Sequence, residues 1–141
     1  INLSFYNFTK NKNYYNNAVS VVLNKNIVES HLMYSNKFFK NELQKLILFM
    51  DKKISQENKK MVIVVSPQLL DIEKNSSDNY IQFYKDLSKK IHCCDLTKYF
   101  NKNLDYKKLY FKDIYGGHFN KKGNKFIALK IFNFLKKKKL I

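Results

Sequence analysis

Met61-Val-Ile-Val-Val-Ser66-Pro67 is the stretch on which the fold prediction depends. Its five consecutive apolar residues, rich in β-branched side chains and stopped by a proline, are typical of a strand buried on both faces of a parallel sheet. Residues 36–56, directly before it, carry apolar side chains at helical spacing with Lys and Glu between them, which predicts an amphipathic helix. A helix followed by a buried strand is half of a βαβ unit.

The rest of the chain continues this alternation. Residues 80–91 predict a second helix, residues 91–96 a short strand, and residues 97–110 at least one short helical turn. Asn120 can cap a final helix that reaches about Lys138, whereas residues 1–35 predict irregular structure or short helices. The order predicts a single three-layer α/β/α domain with a parallel sheet, in which Ser66 and the loop around His118 lie at the same sheet edge.

The charge of the chain invites a nucleic-acid interpretation, since the formal net charge is +16. Every basic residue is a lysine, however, and base readout and bidentate phosphate binding favour the guanidinium fork of arginine. A solvated lysine surface is the favoured interpretation, and nucleic acid or an anionic membrane surface is the alternative. No apolar run is long enough to span a bilayer, so we expect no transmembrane segment in this chain.

The two cysteines, Cys93 and Cys94, are adjacent in the sequence. Neighbouring cysteines rarely form a disulfide, and no spacing typical of a zinc site is present. They are interpreted as small apolar residues of a strand, which favours a reducing, cytoplasm-like compartment. We expect neither a metal nor a cofactor.

The strongest chemical signal is Asp113-Ile-Tyr-Gly-Gly-His118-Phe-Asn-Lys-Lys-Gly123. All three glycines of the chain fall within its last eight residues, which indicates unusual backbone geometry. A histidine at a helix entrance with a carboxylate upstream can act as a general base with its orienting acid. The alternative is a glycine-rich turn whose histidine only packs or caps. Local physics leaves both open.

Residues 110–128, which include this segment, resemble the last block of the SGNH (GDSL-type) hydrolase superfamily, in which the Asp and His of the catalytic triad share one short loop. The strands predicted at residues 62–67 and 91–96 are similar to the late strands of that superfamily, so the resemblance covers about residues 60–141. It implies a flavodoxin-like α/β/α fold and hydrolysis or transfer of acyl esters, often on carbohydrates. It also implies that His118 is the general base and Asp113 its orienting carboxylate.

The chain departs from the superfamily pattern in two respects. Asp113 lies five residues before His118, whereas the superfamily acid usually lies three before its histidine. The Gly-Asp-Ser nucleophile block and the blocks that supply oxyanion-hole donors are not present. Ser4 and Ser20 have no glycine-rich elbow, and Ser66 is interpreted as a turn residue before a proline.

The sequence therefore predicts the C-terminal part of a serine ester hydrolase or O-acyltransferase. Its nucleophile and the rest of the domain, with any targeting signal, are expected upstream of this chain, which should be inactive in isolation. An SGNH-like scaffold or binding module without chemistry is the second hypothesis, and a Lys-rich nucleic-acid-binding domain is the third. His31, His92 and Asp95 are weaker candidates, for which packing and capping roles are favoured.

Overall fold

The computed structural model describes residues 12–74, 78–100, 105–111 and 117–141. Helices dominate these ranges, and two short strands form the sheet. The elements in chain order are α1 (Lys12–Ser35), α2 (Lys37–Gln56), β1 (Val62–Val65), α3 (Leu69–Lys74), α4 (Asp78–Leu87), β2 (His92–Asp95), two 3₁₀ turns (Thr97–Tyr99 and Tyr106–Leu109) and α5 (Lys121–Lys137).

Two long helices precede the first strand. They are separated by Asn36, whose side chain accepts hydrogen bonds from the backbone N–H groups of Phe38 and Phe39. The first backbone N–H groups of a helix have no partner within it, and the Asn36 side chain accepts hydrogen bonds from two of them in α2. Because Asn36 itself has an extended backbone, α1 ends before it and α2 starts after it. The prediction of irregular structure or short helices before residue 36 is wrong for residues 12–35, which form one helix of 24 residues.

The two strands lie side by side in parallel, with Val62 opposite His92 and Val65 opposite Asp95. Parallel neighbours need a crossover connection, and α3 and α4 supply it between the end of β1 and the start of β2. The predicted strands, the helix between them and the parallel pairing are thus confirmed. The Leu96 N–H donates to the Val65 carbonyl, which extends the ladder to the point where both strands end.

Two apolar clusters lie on either side of this sheet. The first contains Ile47 of α2 with Phe83 and Leu87 of α4, and Ile63 of β1 packs against it. The second contains Cys94, Leu96, Phe100 and Tyr110, and the inward residues of α5 pack against it. Ile63 and Cys94, in neighbouring strands, point to opposite clusters because successive side chains of a strand alternate between the two faces. Packing on both faces explains most of the apolar run at residues 61–65, with Val65 buried and Val62 and Ile63 half-buried.

The predicted three-layer, flavodoxin-like α/β/α fold is wrong. Helices account for 71% of the described residues and strands for 9%, and the sheet has two strands. The sheet is too narrow to separate two full helix layers, and α1 instead packs on α2 and α4. Val64, in the middle of β1, is 41% exposed as a consequence. None of the helices in the described ranges combines the length and apolar character needed to cross a membrane.

Candidate functional site

A cleft of about 560 Å³ opens where β1 ends, between α1 and the turn that leads into α3. This volume is within the usual range for small-molecule sites. Its lining combines an apolar floor with hydroxyl, amide and imidazole groups. The lining residues are Leu23, Asn26, Ile27, Ser30, His31, Tyr34, Val64, Val65, Ser66, Gln68, Asp71, Tyr80, Tyr84, Gly117 and His118. The cleft thus brings together Ser66 and His118, as the sheet-edge prediction required.

His118 lies at the rim of the cleft and is exposed. A short antiparallel ladder holds the backbone on which it stands: the Phe111 N–H donates to the His118 carbonyl at 2.8 Å, and Tyr110 forms a bridge with Phe119. The rings of Tyr110 and Phe119 lie 4.4 Å apart, and the Tyr110 hydroxyl donates to the Pro67 carbonyl. These contacts join the segment that carries His118 to the turn after β1.

Asn120 fixes the same segment from the other side. Its Oδ1 accepts hydrogen bonds from the N–H groups of Lys122 and Gly123, which caps α5 as predicted. Its Nδ2 donates to the carbonyls of Lys108 and Tyr110 at 2.9 and 3.0 Å. One side chain therefore both begins α5 and clamps the ladder beside His118.

Replacing Asn120 with alanine should lower the free energy of unfolding by about 2 kcal/mol, because the cap and both clamp hydrogen bonds are lost. Asn120→Asp keeps an acceptor for the cap but loses the two donors, so an intermediate loss is expected. Urea denaturation of both variants measures the difference. Equal stability of Asn120→Asp and the parent protein would contradict the clamp.

Two glycines near His118 are required by close approach. Gly117 has φ of 82°, and a Cβ there would overlap the Leu69 side chain, with its Cδ2 at 2.8 Å. A Cβ at Gly123 would overlap the Leu109 carbonyl oxygen and lie 2.9 Å from Phe119 Cδ1. The cluster of glycines thus allows the His118 segment to lie directly against α3 and the second 3₁₀ turn, which the sequence could indicate but not specify.

A second histidine of the cleft, His31, is paired with a buried carboxylate. His31 Nε2 lies 3.1 Å from Asp71 Oδ1, and the two side chains are 14% and 7% exposed. Asp71 Oδ2 accepts hydrogen bonds from the Tyr80 hydroxyl at 3.2 Å and from the Gln68 N–H at 3.3 Å. The bond to Gln68 closes back on the first turn of α3, as in a capping box. Asp71 therefore connects α1, α3 and α4.

Two tyrosines in this part of the molecule, Tyr110 and Tyr84, are held in their neutral form. Burial, and then the charge of Asp71, raise the pKa of Tyr110 above its ordinary range. Burial raises the pKa of Tyr84 as well, and a hydrogen bond with Tyr34 adds to the effect. In the cleft, Tyr84 therefore offers a hydroxyl that can donate a hydrogen bond, and not a phenolate that could act as a base.

The charge of the cleft differs from that of the chain as a whole. The chain has 27 lysines, yet the part of the chain that the structure describes places no lysine in the cleft lining and only one carboxylate, that of Asp71. Several lysines instead form exposed ion pairs, such as Lys45 with Glu42 and Lys89 with Asp86. Such pairs contribute little to stability and mark a solvated surface. The lining of the cleft suits a neutral ligand better than a polyanion.

No family model, no curated protein and no solved structure matches this chain. The functional interpretation therefore depends on the residues of the cleft themselves.

Of the predicted catalytic pair, the structure describes only His118. Asp113 lies outside the described residues, so its role as the orienting carboxylate stays a prediction. The weaker candidate Asp95 has a capping role: its Oδ1 accepts hydrogen bonds from the Thr97 N–H and hydroxyl. His92 lines a different cleft, at the beginning of β2, together with Lys60 and Lys90. His31, for which the sequence favoured packing, lies in the same cleft as His118.

The cysteines are poor nucleophiles in this structure. Burial, and then the charge of Asp95, raise the pKa of the Cys93 thiol from 9.0 to about 11, and burial raises the pKa of Cys94. The thiolate is the reactive form, so both thiols are largely unreactive near neutral pH. Within the described ranges, no group of three or more His, Cys, Asp or Glu side chains could hold a metal ion. The described lining of the cleft itself offers imidazole, hydroxyl and carboxylate groups.

Proposed function

We propose that this chain supplies the acid–base part of a serine ester hydrolase or O-acyltransferase, with His118 as the general base. The observation that carries the proposal is the position of His118 at the rim of the cleft where β1 ends, a cleft whose described lining residues include no lysine. The ester carbonyl would lie at this rim, and His118 would take the proton of the attacking serine hydroxyl. It would then return that proton to the leaving alcohol.

The backbone around His118 supports this role. The ladder to Phe111 and the Asn120 clamp hold the backbone of His118 in place, and the residue is exposed where it lines the cleft. A general base needs this combination, because proton transfer is efficient only when the base is positioned within hydrogen-bond reach of its partner. Asp113 stays the proposed orienting carboxylate of His118.

The lining of the cleft supports an uncharged ester as substrate. Leu23, Ile27 and Val64 supply an apolar surface for an acyl group, and Asn26, Ser30 and Gln68 supply polar groups for hydroxyl-bearing parts of a substrate. An acylated carbohydrate or a small ester has both parts, an apolar acyl group and a polar remainder. A nucleic acid would require cationic groups along its phosphates, and the cleft lining has none among the described residues.

The proposal is tested by treating the full-length protein that carries these 141 residues with a fluorophosphonate probe. Mass spectrometry then identifies the labelled residue. We expect one stoichiometrically labelled serine, located outside residues 1–141, and hydrolysis of p-nitrophenyl acetate that the probe abolishes. Labelling of Ser66 would keep the chemistry but move the nucleophile into this chain. No labelled serine and no esterase activity in a folded protein would overturn the proposal and favour a binding module.

A further inference from the structure

The cleft contains two histidines but one described carboxylate, and that carboxylate belongs to His31. Both partners are more than four-fifths buried, and Asp71 has three hydrogen-bond partners, from α1, from α4 and from the turn before α3. The Tyr80 ring stands edge-on to the His31 ring, with centroids 5.7 Å apart. The imidazole is thus held in one orientation by a hydrogen bond at one end and an aromatic contact along its side.

This geometry determines which nitrogen of His31 is available. Asp71 can only accept in its ionised form, so Nε2 carries the proton of the 3.1 Å hydrogen bond. In the neutral ring Nδ1 then carries the lone pair, and it makes no hydrogen bond to any of the described residues. A carboxylate on one nitrogen and a free lone pair on the other is the arrangement of a general base.

The neighbours of His31 indicate what it acts on. On α1, Ile27 and Tyr34, one turn before and after His31, line the same cleft as His118 and Ser66, and so does Ser30, which directly precedes His31. The cleft is open to water, and its lining near α1 offers neutral hydrogen-bonding groups. A water molecule or an alcohol that enters the cleft can therefore approach His31, which lines the same cleft as His118.

We propose that His31, oriented by Asp71, is the base that activates the acyl acceptor in the second half of the reaction, an inference that rests on the proposed function. The acceptor is water in a hydrolase or a neutral sugar hydroxyl in a transferase. His118 serves the first half, in which the serine is acylated. His118 thus activates the serine hydroxyl, and His31 activates the water or sugar hydroxyl that accepts the acyl group.

Every proton is accounted for in the transfer of the acyl group from the serine to the acceptor. His31 Nδ1 takes the proton of the acceptor O–H, and the acceptor oxygen forms a bond to the acyl carbon. The bond between that carbon and the serine oxygen breaks, and the serine oxygen takes a proton from solvent. The His31 imidazolium releases its proton to solvent, so both histidines are neutral when the next ester binds. No oxidant, metal or cofactor is needed.

The test compares His31→Gln with the parent in the full-length protein, using p-nitrophenyl acetate. Glutamine places an amide N–H where His31 Nε2 donates to Asp71, so the structural hydrogen bond is retained while the basic nitrogen is lost. We expect the initial burst of nitrophenol to keep its rate, and steady-state turnover to fall about a hundredfold or more. Mass spectrometry should detect the acetylated serine. Hydroxylamine, a stronger nucleophile than water, should restore turnover.

His92→Gln is the matched control, because His92 lies in the other cleft. Its burst and turnover should equal those of the parent. Unchanged turnover of His31→Gln would overturn the role of His31 while leaving the proposed function intact. A parallel loss of burst, turnover and melting temperature would also overturn it, in favour of a structural pair. A parent protein with no burst and no labelled serine would overturn the proposed function, and this inference with it.

Discussion

Replacing His118 with alanine should lower the rate of serine labelling by fluorophosphonate, and the burst of ester hydrolysis, by about 10²–10⁴-fold. This is the usual contribution of a positioned general base. Because the side chain is exposed and its backbone ladder does not depend on the imidazole, the free energy of unfolding should change by less than about 0.5 kcal/mol. The loss would therefore be chemical and not structural.

The control for this variant is His92→Ala, since His92 is the one histidine that lines a different cleft. Labelling rates of the two variants are compared with the parent under identical conditions, with melting temperatures recorded alongside. We expect a loss only for His118→Ala. If both variants label at the parental rate, His118 is not the base, and the glycine-rich segment has the packing role that the sequence left open.

Most local elements from residue 36 onward could be predicted from the sequence because each has a strong signal of its own, but the short helix α3 (Leu69–Lys74) was missed. The apolar run at residues 61–65 matched β1, and Asn120 matched the start of α5. These signals act over a few residues: a buried strand needs consecutive apolar side chains, and a helix needs a cap and a periodic stripe.

The overall architecture could not be predicted in the same way. Alternation of helices and strands is typical of three-layer domains, but the number of strands and the packing of α1 depend on long-range contacts. The apolar residues of α2 illustrate this point. The sequence indicated one inward stripe, yet only Ile47 is buried, and Phe38, Leu46 and Phe49 are exposed. The described elements do not form the layer that would cover these residues.

The His31–Asp71 pair was missed for a related reason. Leu23, Ile27, His31 and Tyr34 follow helical spacing along α1, and all four line the cleft. Exposed apolar residues on the other sides of α1, among them Val21, Val22, Val28, Leu32 and Met33, obscure this stripe. Asp71 lies 40 residues further along the chain, so only the packing of α1 against α3 and α4 brings the pair together.

Truncating Leu87 to alanine should have the largest effect on stability, lowering the free energy of unfolding by about 2–5 kcal/mol. The side chain, at the end of α4, is 2% exposed and belongs to the first core cluster together with Ile47 of α2 and Phe83 of α4. Removal of its methyl groups leaves a cavity. The Asn36 cap restrains α2 and strand β2 restrains α4, so these helices cannot move together far enough to fill the cavity. Urea denaturation should show a lower midpoint with an unchanged slope.

Leu46→Ala is the matched control, because Leu46 adjoins Ile47 on α2 but is 56% exposed. The loss in free energy of unfolding should stay within about 0.5 kcal/mol, since little apolar surface returns to water.

The Leu87→Ala substitution should also affect the site, because α4 carries both Leu87 and Tyr80, whose hydroxyl donates a hydrogen bond to Asp71. If α4 shifts into the cavity, Asp71 and His31 move with it, and Leu87→Ala should slow turnover more than acylation. Equal destabilisation by the two variants would mean that α2 and α4 do not pack around Leu87 in solution.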